Sequence, residues 1–122
     1  MSQIIFLHGA SSSGKSTIAQ ALQQKMAKPC WHISIDHLHD LFRRFDVLFA
    51  AVHCPVPELN ARERLRGDRP EGSAQRDQSM IHAGRVYDIE IDSMDGIEAN
   101  VQTILQAWRS DLRQSEFSQS FA

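Results

Sequence analysis

The stretch Gly9-Ala10-Ser11-Ser12-Ser13-Gly14-Lys15-Ser16 constrains this chain more than any other. It has the G-x-x-x-x-G-K-[ST] spacing of a loop that wraps its backbone around a nucleotide's phosphates. At average residue usage, the four fixed positions arise by chance in roughly one of a few hundred chains of this length. The plain alternative is a serine-rich surface loop ending in a helix cap. The flanks favour the phosphate loop. Residues 3–8, Gln-Ile-Ile-Phe-Leu-His, are short, apolar and β-branched or aromatic, as in a buried strand. Residues 17–26 are good helix formers, with Ile18, Leu22 and Met26 recurring every four positions.

A strand, a glycine-rich turn and a helix in succession bring unpaired helix N–H groups and the positive end of the helix dipole to one anion. Gly9 and Gly14 allow backbone angles and close approach that a Cβ would block. Lys15 is expected to put a point charge on the β- and γ-phosphates, and Ser16 to offer its hydroxyl to Mg²⁺. The expected ATP-binding set is therefore Gly9, Ala10, Ser11, Ser12, Ser13, Gly14, Lys15, Ser16 and Thr17, with Ser16 as the metal contact.

The rest of the chain bounds the setting. At 122 residues it is one domain's worth of sequence. Its 42% hydrophobic and 23% charged residues are ordinary for a soluble globular protein. A net charge of −2 gives no bulk attraction to nucleic acid or to an anionic membrane, and no apolar run approaches the ~20 residues of a membrane span. Met1-Ser2-Gln3 leads directly into the first strand, which predicts a cytoplasmic address. Cys30 and Cys54 have neither metal-ligand nor disulfide spacing and read as reduced thiols.

Lys28-Pro29 ends the first helix. Residues 30–35 alternate as a second strand, with Asp36 at its C-terminal end. Ligands of open parallel sheets gather beyond such ends, so Asp36 is the carboxylate best placed to share a crevice with the phosphate loop. It also suits the N-cap of a helix over 36–45. Residues 47–53 form a continuous apolar run, expected of a central strand buried on both faces. A helix with proline in its first turn follows over 57–66 and stops at Gly67. Arg62, Arg64, Arg66, Arg69 and Arg76 crowd this region. They read either as a solvated face with Glu58 and Glu63 as partners or as a mobile lid whose guanidinium forks close on phosphate. Residues 73–82 predict a second short helix and 86–92 a strand with its acidic residues on one side. Ile97, Val101, Ile104, Leu105, Trp108 and Leu112 form the apolar stripe of a last helix, and residues 115–122 read as a frayed tail. The six histidines lack HExxH or Cys/His spacing, so no transition-metal site is expected.

Taken together, the chain resembles the chloramphenicol phosphotransferase family of P-loop kinases. The likeness rests on residues 4–16, on Ile33-Ser34-Ile35-Asp36, and most heavily on the stretch from Asp46 to Trp108. That stretch includes Glu63-Arg64-Leu65-Arg66-Gly67-Asp68-Arg69, His82-Ala83-Gly84 and Tyr87-Asp88-Ile89-Glu90-Ile91-Asp92. The resemblance implies a three-layer α/β/α P-loop NTPase fold, nucleoside-kinase-like, with a mostly parallel sheet. It implies a single domain over 1–122 whose lid spans about 57–84. It also implies Asp36 as the general base toward a substrate hydroxyl, and Arg66 and Arg69 as lid arginines that act beside Lys15. ATP, Mg²⁺ and a hydroxylated small molecule are the implied partners.

One departure matters. The family carries a further strand and its flanking helices between the helix after Asp36 and the strand near Val47, whereas here Leu41-Phe42-Arg43-Arg44-Phe45 runs almost directly into Asp46-Val47-Leu48. The sheet is then reduced by about one strand. It closes up, leaves an edge, or borrows a strand from a second copy. An acceptor other than chloramphenicol is expected. Two readings remain: an ATP-dependent kinase of a small-molecule hydroxyl, and a degenerate P-loop protein that holds ATP without transferring phosphate. A regulatory GTPase is disfavoured, because neither an Asn-Lys-x-Asp nor an Asp-x-x-Gly motif follows the loop.

Overall fold

The central strand organises the fold because its side chains are apolar in both directions. A computed structural model describes residues 3–10, 12–27, 45–68, 70 and 72–118. The predicted strand over 30–35, Asp36, Arg69, Ser11 and Cys30 lie outside the described residues. Strand β1 (Gln3–His8) pairs in parallel with β2 (Asp46–His53), from Gln3 opposite Asp46 to His8 opposite Ala51. Strand β3 (Ile89–Asp92) pairs in parallel with the other edge of β2, from Ala50 opposite Ile89 to His53 opposite Asp92. The order β1-β2-β3 makes β2 the middle strand among the described residues, and Val47 through Val52 are all buried. Parallel neighbours need helical crossovers, and the molecule is accordingly α/β, in keeping with a P-loop kinase-like fold.

Alternation along the strands sorts two cores. On one face, Leu48 and Val52 of β2, with Ile5, Leu7, Ile89 and Ile91, pack against helix α1 (Lys15–Lys25) and the C-terminal helix. That helix, α4 (Ile97–Ser110), contributes Val101, Ile104 and Leu105, and α1 contributes Ile18 and Leu22. The predicted stripe of α4 is longer than the observed one. Asp111 takes a left-handed conformation at φ 60°, which stops the helix and throws Leu112 out of phase, leaving it 78% exposed.

On the other face, Phe49 stacks on Phe6 at 5.1 Å, lies 4.5 Å from the Tyr87 ring and takes Phe117 edge-on at 4.8 Å. The tail is thus not frayed through Ser118: Ser115 and Phe117 are buried and Glu116 N–H bonds Val86 O at 3.1 Å. Asp88 explains both this and the shortened third strand. Its carboxylate accepts the N–H groups of Phe49 (2.7 Å), Ser115 (2.9 Å) and Gln114, so it takes the place of a ladder carbonyl and staples the tail to the sheet. Residues 86–88 therefore lie beside β2 without belonging to β3.

Two helices sit at the C-terminal ends of the strands. Helix α2 (Val56–Arg66) starts with Pro57 in its first turn and ends on left-handed Gly67, as expected. Helix α3 (Ser73–Ile81) follows. Leu59 of α2 and Ala74 of α3 form a small core with Cys54 and Ala10, so the pair packs on the phosphate loop itself. No helix among the described residues is long and apolar enough to cross a membrane.

Candidate functional site

The loop's shape follows from crowding at the end of β1. A Cβ built on Gly9 would stand 2.4 Å from Val52 O and 2.9 Å from Ser13 Oγ, so only glycine lets the chain turn off the strand there. Ala10 is buried beneath the turn, and its carbonyl accepts the Ser13 N–H at 3.2 Å and Lys15 Nζ at 3.2 Å. Ser12 stands at φ 66° and Gly14 at φ 101°. For a residue with a Cβ such as Ser12, that region costs roughly 1–2 kcal/mol and must be held by its surroundings.

The turn delivers the chain to α1 with an open N-terminus. Gly14, the N-cap, supplies no side-chain acceptor. The first helical bond runs from Ile18 N–H to Gly14 O, which leaves the Ser16 and Thr17 amides without an acceptor inside the helix. Ser16 and Thr17 are exposed at this end. Ser13 is fully buried, and its Oγ has no hydrogen-bond partner. A buried hydroxyl without a partner, beside uncapped amides and the positive helix end, is a polar deficit that an anion's oxygens would fill.

The arginines divide. Arg62 and Arg66, one helical turn apart on α2, both reach Ser12: Arg62 Nη1 donates to its carbonyl at 3.1 Å and Arg66 Nη1 to its Oγ at 3.2 Å. Arg62 is held by Glu58 at 3.0 Å and Arg66 by Asp68 at 3.0 Å. Arg64 and Arg76 are exposed, and Arg85 pairs with Glu116 at 2.9 Å. Of the two glutamates expected as partners on a solvated face, only Glu58 fits that reading. Glu63 is 2% exposed and accepts the N–H groups of Ser73 (3.1 Å) and Ala74 (2.6 Å), capping α3. Gly72 at the N-cap of α3 lacks a side-chain acceptor, which signals that one comes from elsewhere, but nothing local says that it lies ten residues back on α2.

Sequence reasoning also missed a ring cluster below the loop. His8 Nε2 donates to Ile81 O, the last carbonyl of α3, at 3.2 Å. His82 Nδ1 meets the Tyr87 hydroxyl at 2.6 Å, and its ring centroid lies 4.4 Å from that of His53. Burial first, then the neighbouring His53 and His8, lowers the His82 pKa to about 4, and burial pushes Tyr87 up to about 12. Both are neutral near pH 7, and the cluster ties α3 to the ends of β1 and β2. Among the described residues no group of three or more His, Cys, Asp or Glu side chains is arranged to hold a metal ion.

The structure thus brings Gly9, Ala10, Ser12, Ser13, Gly14, Lys15, Ser16, Thr17 and Arg66 to one place and adds Arg62. Asp36, Ser11 and Arg69 lie outside the described residues. A family model described as "Chloramphenicol phosphotransferase-like protein" matches residues 2–44 and 34–109, in two pieces that share residues 34–44. No curated protein matches the chain.

Proposed function

The chain belongs to the chloramphenicol phosphotransferase-like family, and from that premise we propose that it is a cytoplasmic ATP-dependent phosphotransferase that moves the γ-phosphate to a hydroxyl of a small molecule. The observation that carries the reading is the phosphate cradle: the uncapped N-terminus of α1, the partnerless Ser13 Oγ, and Arg66 on its rim. These residues suit a polyphosphate. The loop amides and Lys15 hold the β- and γ-phosphates. Ser16 would hold Mg²⁺, whose charge offsets that of the β- and γ-oxygens. Arg66 and Arg69 close on the transferring group from a lid over residues 57–84 of a single domain. Asp36 takes the proton of the acceptor hydroxyl as its oxygen attacks phosphorus. Positioning and charge neutralisation supply most of the rate in such a transfer.

A second reading has its own support. A family match in two overlapping pieces is what a chain without the intervening segment gives, and β1 has a described neighbour on one edge only. The acceptor pocket would then depend on a second copy of the chain, or the protein would bind ATP without transferring it. A ³¹P-monitored screen of hydroxylated small molecules with Mg²⁺-ATP decides between them, since the kinase gives ADP and a new phosphomonoester signal. Lys15→Ala is expected to weaken Mg²⁺-ATP binding by at least about tenfold, as read by calorimetry. Unchanged affinity would refute the loop's role.

A further inference from the structure

We infer that Arg62 is a positioning residue that keeps the phosphate loop in its binding shape by clamping one peptide unit, without itself touching nucleotide. The peptide between Ser12 and Ser13 is planar, so its C=O and N–H point in opposite directions. Both ends are held: Arg62 Nη1 donates to Ser12 O at 3.1 Å, and Ser13 N–H donates to Ala10 O at 3.2 Å. The clamp falls where the loop needs it, because Ser12 is a non-glycine residue at φ 66°.

The two arginines on Ser12 differ in how firmly they are committed. Arg62 Nε is fixed by Glu58 at 3.0 Å, and its Nη1 also reaches Ser93 Oγ at 3.5 Å. A Cβ on Gly14 would lie 3.4 Å from the same Nη1, so the guanidinium rests against the loop. Its side chain is 30% exposed against 44% for Arg66, whose contacts are the Ser12 hydroxyl and Asp68 two residues away. Arg66 can exchange a hydroxyl for a phosphate oxygen at little cost. Arg62 cannot leave without releasing Ser12.

The test is a double-mutant cycle of Arg62→Ala and Ser12→Gly with two readouts. In the ligand-free protein, Arg62→Ala is expected to speed amide exchange at Ser13 by about tenfold, the worth of one hydrogen bond from a charged donor. Under the proposed nucleotide-binding function, on which this second readout rests, Mg²⁺-ATP affinity falls by a similar factor. In the Ser12→Gly background the loss shrinks to within about twofold, because glycine adopts the left-handed region without a Cβ penalty. Arg62→Lys keeps the charge but not the fork, is expected to behave like Arg62→Ala, and carries the test if the alanine variant does not fold. Unchanged Ser13 exchange overturns the inference. So does an affinity loss of equal size in both backgrounds, which marks direct contact with the nucleotide, and so does a lysine variant that matches the wild type. Should the wild type fail to bind Mg²⁺-ATP, the kinase reading falls while amide exchange still decides the role of Arg62.

Discussion

A carboxylate sealed between two helices is what separates Glu63 from its neighbours in an arginine-rich run. Its two oxygens satisfy the first amides of α3 where the dipole is positive, a setting that favours a negative charge. Glu63→Ala removes both acceptors and leaves two N–H groups without partners. Its expected cost is about 2–3 kcal/mol in denaturant unfolding, against a few tenths for the exposed Arg64→Ala. Sequence reading reached the turn from β1 into α1 because Gly9–Ser16 are consecutive and their spacing is the geometry. It did not reach Glu63, because alternating charges on one helix look alike until the fold says which of them faces a helix end.

At the scale of elements, Asp88 shows why strand boundaries are hard to place from pattern. The alternation from Val86 to Asp92 is regular, yet the carboxylate of Asp88 substitutes for a ladder acceptor and hands the tail to the sheet. Asp88→Ala is expected to lower stability by about 2 kcal/mol or more and to open residues 111–118 to proteolysis at Arg113. Helix α3 is fastened at its other end by the histidine cluster, and this fastening depends on pH. His82 has its pKa lowered from 6.5 to about 4, so the unfolded chain binds the extra proton first. Stability from the neutral ring is complete above pH 6.5 and is lost as pH falls toward 4. Melting temperature should therefore decline across that window, and His82→Phe should flatten the decline.

For the whole molecule, the family resemblance implies the parallel sheet, while the central place of β2 and the helix-covered face follow from periodicity and from the length of the apolar run at Val47–Val52. The opposite face does not. Its closure comes from Phe117 and Ser115, which composition marks as an ordinary polar tail. Binding should report on the whole fold as well, since a ligand that binds only the native state raises its stability by about 2.7 kcal/mol at a hundredfold excess over its Kd. Mg²⁺-ATP is expected to raise the melting temperature accordingly, and Lys15→Ala to cut the rise to about half or less.

The packing of Phe117 against Phe6 and Phe49 also orders events in time. Translation makes Phe6 and Phe49 well before Phe117, the residue that shelters them. A nascent chain that has not yet delivered Phe117 beyond the ribosome leaves Phe6 and Phe49 without the ring that packs on them. Contacts this distant in sequence form late and slowly. Chaperone engagement of the growing chain should cease only when residues 115–118 emerge, so the staple at Asp88 sets the moment at which this domain becomes able to fold.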